Sequence, residues 1–403
     1  GAVAIVGFTE SLLTIIYAIS FGIATAATAV VARRIGENNA KEASIAAFQA
    51  ILTGLFLSII ISLFGIIYYN NLLVLMGANS YLISEYSGYT FFMLSGNITI
   101  MLLFIINAII RSSGDAALSM KVLWLANIIN IVLDPCLIFG WGPFPELGIT
   151  GAAIATNIGR GIAVLFQIYL LFSGKHRVKL YLSSLKIDFK VIFQIIKLSL
   201  GSIGQNIIAT SSWIGLMRIA ATFGSEVVAG YTIGIRIILF TLMPMAGLAN
   251  AASTLVGQNL GAKNPIRAEK SAMLAAKYNF IFFSIVVILF VALPDFWVKL
   301  LTTDAVIVEN ATNCLRIVSY GMIMYGIGMV MMNSINGAGD TLTPTYITLF
   351  AFWLLEIPLA YLLAITFDFK ESGIYYAIVF SESILTIIAF IVFKKGKWKL
   401  KVV

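Results

Sequence analysis

The sequence predicts an all-α polytopic membrane protein built from two lobes of helices, and three observations carry that prediction. Of its 403 residues, 60% are hydrophobic and only 11% charged, with a mean hydropathy of +0.99. A soluble domain carries about a quarter charged residues. Eleven apolar runs reach the length of about twenty residues that a helix needs to cross a bilayer. Short motifs from the first half return in the second half at one fixed spacing.

The runs cover approximately 1–31, 44–69, 81–110, 117–140, 149–173, 190–222, 226–256, 266–293, 306–333, 343–367 and 373–393. Several exceed what a bilayer needs, so tilt or extension beyond the lipid is expected. Arg33, Arg34 and Lys41 follow the first run, Arg111 and Lys121 the third, and Lys175, Arg177, Lys179 and Lys186 the fifth. Lys263, Arg267 and Lys270 follow the seventh, and a lysine-rich tail follows the eleventh. The intervening loops are acidic or neutral, as around Glu146, Asp295 and Glu371. Basic loops mark the cytoplasmic side, so the C-terminus is expected there. The net charge of +8 then reflects topology and not nucleic-acid binding. Cys136 and Cys314 both lie in apolar runs, which disfavours a structural disulfide. A single histidine, His176, excludes most zinc and haem constellations.

The repeat has a spacing of 225 residues. It relates Gly36 to Gly261, Asn39 to Asn264, Asp115 to Asp340, Gly148 to Gly373, and Ala26-Ala27 to Ala251-Ala252. The first run thus matches the seventh, an even step, so both halves are expected to insert in the same direction about an axis along the membrane normal. The sixth run has no partner before Gly1. A first helix missing from this chain, twelve in all, would restore a cytoplasmic N-terminus. The expected domains are an N-terminal lobe at 1–173 with five of six helices, a cytoplasmic linker at 174–189 and a C-terminal lobe at 190–403.

The stretches "VARRIGENNAKEA", "IRSSGD", "NIVLDPCLIFG", "GITGAAIATNI", "VVAGYTIGIRI" and "LVGQNLGAKN" together resemble the multidrug and toxic compound extrusion (MATE) family. The resemblance implies a twelve-helix, two-lobe secondary antiporter of the inner membrane. It would export amphipathic, cationic organic compounds by alternating access, in exchange for H+ or Na+.

Asp134 is the residue that most needs a purpose. It lies well inside the fourth run, directly before Pro135. Insertion scales charge about 2.5–3.5 kcal/mol for a central aspartate, and such residues usually face a bundle interior or a wet cavity. Asn130 is one helical turn earlier on the same face. Pro135 lacks an N–H and so frees the carbonyl of Ile131. By the resemblance, Asn130, Asp134 and Thr156 form a coupling-ion network, with Na+ possible at Asp134. A further family aspartate belongs to the first helix, so the set is incomplete here. An interfacial aspartate capping a broken helix is the bland alternative.

In the second lobe the repeat mates of Asn130 and Asp134 are Leu355 and Leu359. The runs at 190–222 and 306–333 offer Gln205, Asn206 and Asn333 but no central carboxylate. Ion coupling is therefore expected through the first lobe. Glu10, Gln205, Asn206, Arg236, Glu356 and Tyr325 are candidates for substrate contact or lobe pairing. Glu356, close to Pro358, is the runner-up acid. Met243, Met245, Met322 and Met324 with Tyr320 and Tyr325 suggest either an adaptable binding surface or plain helix packing. The glycine-containing turns lack Walker spacing and read as helix stops followed by caps, with Asp115 and Asp340 opening the next helices.

Three other classes compete with this reading. A lipid-linked oligosaccharide flippase of related architecture would favour a cationic cavity, and scattered arginines keep it open. An intramembrane enzyme is disfavoured because no paired carboxylates, nucleophile motif or metal cluster is visible. A channel suits two broken-helix lobes with an occluded acid less well than alternating access does. The expected partners are small organic substrates and the bilayer, with no nucleic acid and no cofactor, for a monomer.

Overall fold

The computed structural model describes residues 1–174, 177–181, 183 and 185–403. Lys175 and His176 of the basic linker lie outside the described residues. Among the described residues there is no strand. The first half holds α1 (Ala2–Gly36), α2 (Ala40–Leu75), α3 (Ser80–Ser95), α4 (Asn97–Ser112), α5 (Ala116–Phe139) and α6 (Gly148–Phe172). Then come α7 (Phe189–Ala221), α8 (Ser225–Gly261), α9 (Pro265–Ala292), the short α10 (Pro294–Lys299) and α11 (Ala305–Gly337). The tenth run is composite: α12 (Leu342–Thr348), a π-helical stretch (Leu349–Glu356), α13 (Ile357–Tyr361) and a second π-helical stretch (Leu362–Thr366). The last helix is α14 (Lys370–Lys395), followed by one 3-10 turn (Lys397–Leu400). Counting α3 with α4, and α12 through Thr366, eleven spans among the described residues are long and apolar enough to cross a membrane. Helices satisfy their own backbone, which a hydrocarbon interior demands. Side chains such as Phe56, Ile60, Leu63 and Ile67 of α2 are left exposed, as lipid-facing residues should be.

The chain divides into two compact units, Gly1–Ile203 and Gly204–Val403, and the division falls inside α7. In the first, Gln49 donates to the Lys186 carbonyl at 2.7 Å, and the Tyr181 amide donates to Ser44 at 3.1 Å. The described part of the 174–189 segment is thereby tied to α2.

The repeat is written into the turns of both units. Asn38 and Lys263 both adopt φ 55°, and Gly114 and Gly339 adopt φ 94° and 90°. Asn39 accepts from the Glu42 amide at 3.1 Å, and Asn264 accepts from the Arg267 amide at 3.0 Å. These are N-caps, which satisfy amides that a helix start leaves open. Asp115 caps α5 through the Leu118 amide at 3.0 Å, and Asp340 accepts from Thr343 Oγ1 at 2.8 Å. The interiors agree too: Ala43 and Ala268, Ala47 and Ala272, and Ile106 and Met331 are pairs of buried mates.

One break has no signal in the hydropathy. The run at 81–110 is two helices, parted at Gly96. Asn157 of α6 donates to the Phe92 carbonyl at 2.8 Å and accepts from Thr99 Oγ1 at 3.1 Å. A Cβ at Gly96 would stand 2.3 Å from Asn157 Oδ1, so only glycine admits this amide. The Phe92 carbonyl also keeps the Gly96 amide at 2.9 Å, so the inserted side chain adds a partner at the break.

Candidate functional site

Two polar clusters lie deep in the spans, one in each unit. In the first, α5 runs without interruption past Pro135 and ends at Gly140 in the left-handed conformation, φ 70°. Its neighbour α6 presents small residues at every fourth position, Gly151, Ala155 and Gly159, all buried. A Cβ at Gly151 would lie 2.3 Å from the Leu137 carbonyl oxygen, and one at Gly159 would lie 2.8 Å from that of Ala126. The stripe therefore brings two backbones close, as small-residue stripes do in membranes. That approach places Thr156 within reach of α5. The Asn130 Nδ2 donates to Asp134 Oδ1 at 3.0 Å and to Thr156 Oγ1 at 3.2 Å. All three side chains are half-buried. The geometry thus joins the three residues that the sequence singled out. The second carboxylate oxygen of Asp134 makes no hydrogen bond among the described residues.

Nearby in the same unit, Arg160 stands one turn beyond Thr156 on α6. Its Nη2 donates to the Tyr17 hydroxyl at 3.2 Å. Glu10 is exposed on α1, within electrostatic reach of Tyr89, as are Tyr17 and Arg160.

In the second unit, Gln205 and Asn336 exchange amide hydrogen bonds at 3.1 and 3.2 Å, and Gln205 also donates to the Thr341 carbonyl at 3.1 Å. That is a locked pair joining α7 to α11. Asn206 is half-buried beside Gln205, and Arg236 is exposed on α8. The methionines do not form one surface, since Met245 and Met322 are core residues while Met243 is exposed.

Glu356 is 3% exposed. Ser212 of α7 donates to its Oε2 at 2.5 Å, and Ser381 of α14 to its Oε1 at 3.2 Å. Glu356 and Tyr325 line a cavity of about 170 Å³ together with Glu382, Tyr231, Trp213 and Phe352. The sequence singled out Glu356 without a partner, and the runs at 190–222 and 306–333 carry neither it nor Glu382. A signal was present. The two residues stand 12 before and 14 after Asp368, in the turn between consecutive antiparallel spans, so they reach similar depth. Among the described residues no group of three metal-ligating side chains is found.

The comparisons with known proteins agree with this architecture. The MatE family model matches residues 1–136 and 202–362. The chain is 24% identical over 402 residues to the "Probable multidrug resistance protein NorM" of Thermotoga maritima, covering 99% of this chain and 86% of that protein. It is 29% identical over 361 residues to the "FAD transporter" of Shewanella oneidensis, covering 89% and 79%. A structure described as the outward-facing conformation of a multidrug resistance MATE family transporter superposes with a TM-score of 0.91 at 25% identity, covering 98% of this chain and 87% of that one. A transporter of the MOP superfamily from Pyrococcus furiosus superposes with a TM-score of 0.90 at 24% identity, covering 99% and 89%. With the family model spanning most of its length, and with eleven described spans long and apolar enough to cross a membrane, this chain belongs to the MATE family of membrane transporters.

Proposed function

We propose that the protein is a secondary active antiporter that exports amphipathic, cationic organic compounds in exchange for H+ or Na+. The observation that carries this reading is the bonding of Asn130 to both Asp134 and Thr156. A carboxylate inside a membrane span, bonded to one neutral amide that a hydroxyl on the next span holds in place, can trade a proton or Na+ for its hydrogen bond at modest cost. Coupling through the first lobe (1–173, with 174–189 as linker and 190–403 as second lobe) and alternating access complete the scheme. We place the protein in the inner membrane as a monomer, with its lysine-rich tail in the cytoplasm.

Two glutamates in the second unit's cavity support a cationic cargo. The Shewanella relative is named for FAD, a dinucleotide bearing phosphates, and these carboxylates would oppose such a cargo. They oppose the flippase reading for the same reason. The test is uptake of a fluorescent organic cation into proteoliposomes holding the protein, driven by a pH gradient or by a Na+ gradient alone. Uptake under one gradient and none without it supports the reading. Equal uptake with and without gradients overturns it.

A further inference from the structure

The second-unit cavity poses a charge problem. Its walls are largely carbon, from Ile235, Ile238, Leu239 and Leu242 of α8 and the aromatic rings of Trp213 and Phe352. Into it come two carboxylates and two phenols: Glu356, Glu382, Tyr231 and Tyr325. Both glutamates act electrostatically on both tyrosines, and Glu356 acts on Glu382. Glu356 has a donor on each oxygen. Glu382 has none among the described residues. Its side chain is half-buried and lines the cavity. Its Oε2 lies over Gly321, where a Cβ would come within 3.0 Å of it. No lysine or arginine lines the cavity. A carboxylate that faces a largely carbon wall with neither donor nor counter-charge is unfavourable, so something is expected to complete this one.

We infer that the cavity formed by Glu382, Glu356, Tyr325, Tyr231, Trp213 and Phe352 binds an organic ammonium group, with Glu382 as its counter-ion. The inference rests on the cationic-cargo reading and assigns residues to it. Volume decides the size of the guest. A cavity of about 150 Å³ holds one benzene ring, whereas pockets for whole drug-sized ligands run to about 300–1,000 Å³. At about 170 Å³ this cavity takes a head group and leaves the rest of the molecule outside. Wall chemistry decides its nature. Hard inorganic cations need a shell of oxygens, and here the Glu356 oxygens are already engaged while most of the wall is carbon. An alkylammonium carries its own apolar shell and is attracted to aromatic faces. Trp213, Tyr231, Tyr325 and Phe352 supply those faces around the free carboxylate.

The test is equilibrium binding of radiolabelled tetramethylammonium to the full chain in lipid nanodiscs, at constant ionic strength. Saturable binding of one cation per chain is expected. Glu382→Gln should weaken it at least tenfold. Ala209→Phe keeps both carboxylates but fills the cavity that Ala209 lines, and it should abolish binding. The second variant guards against the first failing to fold. No saturable binding in the wild type, or equal binding in Glu382→Gln, overturns the inference. Equal competition by neutral tert-butanol would reduce the site to an apolar hole, and competitive displacement by Na+ would make it an inorganic-ion site; either overturns it. No gradient is present, so failure here is distinct from failure of coupling at Asp134.

Discussion

Thr156 and Ser381 stand 225 residues apart at the same place in the two copies of the repeat, and each is bonded to a polar side chain on the preceding span. Thr156 accepts from Asn130 at 3.2 Å, and Ser381 donates to Glu356 at 3.2 Å. The partners are not repeat mates, because Glu356 stands 225 residues after Ile131, one position beyond Asn130. One hydroxyl was thus kept in both copies while its partner diverged. The first copy holds a lone carboxylate beside an amide. The second holds two carboxylates around a cavity.

If Thr156 and Asn130 serve the ion at Asp134, each contributes one polar contact. Thr156→Ala should slow gradient-driven transport about two- to tenfold, since a neutral hydrogen bond is worth about 0.5–1.5 kcal/mol, and Asn130→Ala about tenfold or more, since hydrogen bonds to charged groups are worth about 1.5–3 kcal/mol. Asn130→Ala should be the worse, because Asn130 bonds both neighbours. Transport rates at matched protein density check the order. Two variants indistinguishable from wild type would remove the amide and hydroxyl from the site.

Close approach of α5 and α6 depends on glycine. Gly151→Ala should lower stability by about 1–3 kcal/mol through overpacking, because its Cβ would meet the Leu137 carbonyl oxygen at 2.3 Å. Gly7→Ala in α1, where nothing lies within 4 Å, should be neutral or slightly stabilising, as alanine is the better helix former. Thermal unfolding of the two purified variants in one detergent checks the contrast.

The caps at Asn39 and Asn264 share their geometry. Each alanine replacement should therefore cost a similar amount, about 0.5–2 kcal/mol, read from denaturation midpoints. Widely different costs would mean that the repeat is alike in backbone but not in energetics.

Much of this was legible because membrane proteins are written in coarse signals. The eleven spans follow from long apolar runs, and the caps at Asn39, Asp115 and Asn264 follow from residue type beside a glycine stop. The joining of Asn130 to Asp134 follows from helical spacing, and Thr156 came from the family resemblance. Other features depend on contacts between spans, which no single run encodes. Asn157 meets the helix break at Gly96 from a neighbouring span. Glu382 has meaning only beside Glu356, and the spans that carry them are antiparallel neighbours whose registers must be counted from the turn. The π-helical winding on both sides of Pro358 likewise leaves no periodic trace in a run that is apolar on every face.

Val402 is 95% exposed at the end of the tail, which makes topology directly measurable. Val402→Cys, in a background where Cys136 and Cys314 are alanine, should resist a membrane-impermeant maleimide applied to intact cells. It should label fully once the membrane is opened. Labelling from outside would place the lysine-rich tail on the outer face and reverse the proposed orientation.

The central claim is that Asp134 carries the coupling ion, and Asp134→Asn tests it most directly. Asparagine keeps the size of the side chain and can still accept from Asn130, but it cannot change charge. The variant should insert and unfold as the wild type does, yet lose gradient-driven transport of an organic cation in proteoliposomes by at least about 100-fold, the scale of about 2.7 kcal/mol. Transport at the wild-type rate under the same pH and Na+ gradients would contradict the account and leave Asp134 as a structural partner of Asn130.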